Sequence, residues 1–81
     1  MAGWEITLAD FEHLVRYPAY QPTTAALLKD WFGYRIEGSG ENALVRSKTG
    51  EVIDIAELHT AIQSAPAKQF DLYQKAMGLW R

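Results

Sequence analysis

Apolar and polar positions alternate along this chain in two different rhythms, and the rhythm changes twice. From Leu8 the apolar residues Leu8, Phe11, Leu14 and Val15 recur at helical spacing, within an arc of about 120° at about 100° per residue, with Glu12, His13 and Arg16 on the other side. Thr7 stands ahead of them as a cap, with Asp10 three residues on as the capping-box acid, and Pro18 stops the helix. Tyr17 to Pro22 reads as a rigid connector, because each proline restricts itself and the residue before it. A second helix is predicted from a Thr23 or Thr24 cap, with Leu27, Leu28, Trp31 and Phe32 inward, Lys29 and Asp30 outward, and Gly33 at its C-terminus.

The period then shortens to two. Tyr34-Arg35-Ile36-Glu37 alternates as a half-buried strand, Gly38 to Asn42 reads as a flexible turn, and Ala43 to Ser47 returns as a second strand. Lys48 to Glu51 is a tight turn into a short third strand, Val52-Ile53. Asp54, followed by Glu57, caps a third helix with Ile55, Leu58, Ala61 and Ile62 inward, and Pro66 breaks the chain before a last helix. That helix places Phe70, Leu72, Tyr73, Ala76, Met77, Leu79 and Trp80 within an arc of about 180°, wider than the roughly 100° stripe a packed helix needs. The order predicts one α+β domain over residues 1–81: two N-terminal helices, a small antiparallel β-hairpin or three-stranded sheet, and two C-terminal helices.

Composition narrows the function classes. The chain has 81 residues and 48% hydrophobic content, with three Trp, four Tyr and three Phe, enough for one packed core and too much for a disordered segment. It has no cysteine, which removes disulfides and thiolate metal sites and fits a reducing, cytoplasmic setting. Met1 to Glu5 carries no basic targeting region, and the apolar run Ala25 to Leu28 is far shorter than a membrane span of about 20 residues, so no membrane partner is expected. Eight basic and ten acidic residues are interspersed, a net charge of −2, without the basic block of a phosphate-binding protein.

No catalytic signature emerges. His13 and His59 are the two imidazoles and have no partner at metal-ligand spacing, so neither a metal nor a cofactor is expected. Gly38-Ser39-Gly40 lies between strands, where it lacks both the helix N-terminus of a phosphate loop and the strand-to-helix setting of a nucleophile elbow. The leading expectation is a non-enzymatic protein-protein interaction module of adaptor or docking type, binding another protein or a second copy of itself through Tyr73, Met77 and Trp80. The alternative is a winged helix-turn-helix DNA-binding protein, with the second helix in the major groove and Arg35, Arg46 and Lys48 on phosphates.

One layout resemblance bears on partners. The paired Leu27-Leu28, Gly33, the two strands, Thr49-Gly50 and the capped helix ending at Ile62 together resemble the helix, hairpin, helix arrangement of N-terminal docking domains from peptide-synthetase assembly lines. The resemblance covers under half the chain, and the first and last helices depart from it. It implies a short peptide added along the hairpin edge, with Arg35, Arg46 or Lys48 pairing to an acidic tail.

Overall fold

Among the described residues, four α-helices and a three-stranded antiparallel sheet follow in the order helix, helix, sheet, helix, helix, the α+β arrangement the sequence predicts. The structure, a computed structural model, describes residues 6–79, excluding the side chains of residues 77 and 79. Of the residues singled out on the last helix, Trp80 and the side chains of Met77 and Leu79 therefore lie outside the described residues.

Helix α1 (Leu8–Arg16) starts where Thr7 Oγ1 accepts the Asp10 N–H at 3.1 Å. It buries Phe11, Leu14 and Val15. Helix α2 (Gln21–Phe32) begins about a turn before the expected threonine cap. Tyr20 is the N-cap, with no capping bond from its side chain to the helix, and Pro22 occupies the first turn, where a missing N–H leaves no bond unmade. Thr24 is consequently a buried helical residue whose hydroxyl donates to the Tyr20 carbonyl at 3.1 Å. Gly33 closes the helix at φ 77°, the left-handed conformation that glycine adopts without steric penalty.

Strands β1 (Arg35–Glu37), β2 (Leu44–Arg46) and β3 (Val52–Ile53) pair in chain order, with Ile36 opposite Val45 and Val45 opposite Ile53. These three residues share one face, and Val45 is fully buried in the core. The connection from β1 to β2 is more ordered than a flexible turn, since Gly40–Asn42 forms a 3-10 turn. Helix α3 (Ile55–Gln63) is capped by Asp54, whose Oδ1 accepts the Ala56 N–H at 3.1 Å. Ala61, expected inward, is exposed; Leu58 and Ile62 carry the buried face.

Helix α4 (Pro66–Leu79) also differs from its predicted face. Gln69, Leu72 and Ala76 are buried and Tyr73 is half-buried against the core, while Phe70 remains 40% exposed. The inward stripe is rotated toward Gln69, because α4 packs on α3 and α2 along one side. No helix among the described residues is long and apolar enough to cross a membrane.

Candidate functional site

Two tertiary hydrogen bonds hold the hairpin against the first two helices. The Gln21 side-chain amide donates from Nε2 to the Val15 carbonyl at 3.0 Å and to the Gly38 carbonyl at 2.7 Å. One carbonyl belongs to the last turn of α1, which has no helical partner, and the other follows β1. His59 Nε2 lies 2.6 Å from the Ile6 carbonyl and its ring is 5.8 Å from Phe11, so this imidazole joins α3 to the segment before α1. His13 instead lies tilted against Tyr17, with ring centres 4.7 Å apart. Among the described residues, no group of three or more His, Asp or Glu side chains is placed to hold a metal ion.

The hairpin arginines are brought together, though around an acid of their own. Arg46 Nε donates to Glu37 Oε1 at 2.7 Å and Arg35 Nε to Glu37 Oε2 at 3.0 Å. Arg46 Nη1 also donates to the Gly50 carbonyl at 2.7 Å. A phosphate or an acidic tail would therefore compete with Glu37 for both guanidinium groups. Lys48 stands apart from them, its exposed side chain running over Gly33, where a Cβ would meet Lys48 Cε at 2.6 Å. Sequence spacing could place Arg35 near Glu37 on one strand face, but the cross-strand approach of Arg46 depends on hairpin register.

The Arg46 guanidinium, and after it that of Arg35, lowers the Glu37 pKa below 4.5 by hydrogen bonding to its charged form. A lowered folded-state value makes this carboxylate stabilising above the ordinary carboxylate range and removes that contribution as the pH falls through the lowered pKa. Glu37→Gln is therefore expected to be less stable than wild type at neutral pH, with the difference shrinking below 4.5. Parallel urea titrations at the two pH values measure this. Because the cluster is exposed, screening keeps the effect small and added salt should reduce it further.

Apolar surface is concentrated elsewhere. A solvent-open groove of about 300 Å³ runs between α1 and the β2, β3 end of the sheet, lined by Leu8, Leu44, Val52, Ile55 and Ala56 and bordered by Glu12 and Arg16. Val52 is 59% exposed and Leu8 39% exposed, so two of the exposed large hydrophobic residues flank the same groove. The sequence pattern does not join these residues, because they lie on four elements, α1, β2, β3 and α3, that meet only in the fold. A second groove of about 330 Å³ lies across α1, between His13, Tyr17 and Glu41.

In comparisons with known proteins, no family model, curated protein or solved structure matches the chain.

Proposed function

We propose that this chain is a small non-enzymatic protein-interaction module of adaptor or docking type. The observation that carries the reading is the pairing of Leu8 and Val52 across one apolar groove, with Val52 59% exposed. Val52 lies on the outer sheet face opposite Arg46, where covering its apolar area with a partner would gain about 25 cal/mol per Å² buried. Left open beside a second exposed aliphatic residue and a polar rim, it supports docking of an apolar side chain from a partner protein. Tyr73 packs on its own core, so this reading does not require the α4 positions Tyr73, Met77 and Trp80. A cysteine-free composition fits a reducing, cytoplasmic setting for the module.

A photo-crosslinking amino acid at Val52 tests the proposal in the native cell. We expect a discrete adduct from position 52, suppressed by a Leu8→Asp substitution in the same chain, and none from the same probe at Thr60, an exposed position on α3. No adduct at Val52, or equal adducts at both positions, would overturn the assignment of the groove.

A further inference from the structure

The outer edge of β1, bounded at either end by bonds to α2, carries an inference that is independent of the groove. Ser47 N–H donates to the Glu51 carbonyl at 2.8 Å, so the main-chain groups of Ser47 face β3. Main-chain direction alternates along a strand, hence those of Val45 also face β3 while those of Leu44 and Arg46 face β1. Their partners Glu37 and Arg35 are therefore the residues bonded across the β1, β2 ladder. Ile36, between them, turns its N–H and C=O to the other side. β1 is an outer strand, and among the described residues no side chain or loop supplies a hydrogen bond to either Ile36 group.

We propose that a second copy of this chain pairs with β1 in antiparallel register centred on Ile36. The three residues Arg35-Ile36-Glu37 are complementary to themselves in that arrangement. A two-fold axis between the strands places Ile36 opposite Ile36, where the two residues exchange the N–H···O=C bonds each has unmade. It also places Arg35 opposite Glu37 of the second copy, twice, in the non-hydrogen-bonded pairs where side chains approach most closely. Both side chains already pair within their own chain, and with 54% of Arg35 and 41% of Glu37 exposed the pairing can be shared across the edge. In the single chain one carboxylate serves two guanidinium groups; across the joined edge two carboxylates and four guanidinium groups form a single network.

The joined sheet has six strands in the order β3-β2-β1-β1-β2-β3. Pairing stops after three residues on each strand, because the Tyr34 N–H already donates to Leu28 O and the Gly38 carbonyl already accepts from Gln21. The contact is consequently small, and association is weak and weakened further by salt.

Sedimentation over about 20 µM to 1 mM tests this in low salt, a range suited to a small polar contact. The wild type is expected to shift from monomer toward dimer. Glu37→Arg alone sets like charges opposite one another, as does Arg35→Glu alone, and each is expected to weaken association at least about tenfold, the scale of two unfavourable charge pairs. An equimolar mixture of the two variants restores opposite charges at both positions, and association should recover.

Far-UV circular dichroism establishes that each variant is folded, and concentration-dependent protection of the Ile36 amide from hydrogen exchange in the wild type reads the same contact without substitution. A monomeric wild type throughout, a dimer unaffected by either variant, or loss without recovery on mixing would each overturn the pairing. None of these outcomes bears on crosslinking at Val52, so this inference and the groove fail separately.

Discussion

Truncating Phe11 to alanine is expected to cost about 3–5 kcal/mol of folding stability, the range for removing a fully buried phenylalanine. Phe11 is 0% exposed and lies among buried residues from α1, α2, α3 and α4. Its ring also borders His59, which joins α3 to Ile6. Deleting it removes apolar contact and leaves a cavity that three packed helices cannot fill without moving. A domain of this size has a total stability of roughly 4–12 kcal/mol, so the variant should be close to unfolded at room temperature.

Thermal and urea denaturation measure the loss, with a midpoint fall of about 15–30 °C expected for a domain this small. Phe11→Leu, which keeps most of the volume, should lose less than half as much. A cost below about 1 kcal/mol for the alanine variant would contradict the placement of this ring at the centre of the core.

A smaller but more local effect is expected at Gly38, where alanine should cost about 2–3 kcal/mol through left-handed strain and a collision together. The backbone stands at φ 76°, and a Cβ there would sit 2.8 Å from the Asn42 carbonyl oxygen. That oxygen belongs to the backbone of the 3-10 turn and cannot rotate away as a side chain would. Relief would require moving Gly38, whose own carbonyl accepts the Gln21 bond that secures the hairpin to α1 and α2.

Gly40 provides the control. It has φ 61° with open space around a Cβ, so Gly40→Ala should show only the conformational cost of about 1 kcal/mol. Equal losses at the two positions in urea titrations would show that the Asn42 contact contributes nothing.

The candidate surfaces differ in how far they could be read from the chain. Arg35, Arg46 and Lys48 were legible as hairpin cations, since alternation places all three on or beside the strands. Their availability was not legible. Glu37 lies two residues from Arg35 on the same strand face, yet its role as partner to both arginines requires the pairing of residue 35 with residue 46. Val52 was legible as a strand residue only; its exposure beside Leu8 follows from α1 crossing the end of the sheet, a contact between residues more than forty positions apart.

Local chemistry in the sequence determined the elements themselves. Thr7 and Asp54 start helices because a short oxygen-bearing side chain satisfies a free N–H, Gly33 ends one because it accepts positive φ, and a change of apolar period marks where helix gives way to strand. Tertiary structure decided which part of each apolar face is used. Periodicity describes one helix at a time, whereas burial requires a neighbour, so Ala61 stays exposed, Phe70 keeps 40% of its surface in solvent, and Gln69 goes inside where α4 meets the core. The early start of α2 was likewise a tertiary decision. Gln21 gains bonds to two carbonyls from other elements, Thr24 is buried, and the helix extends back through Pro22 to place them both.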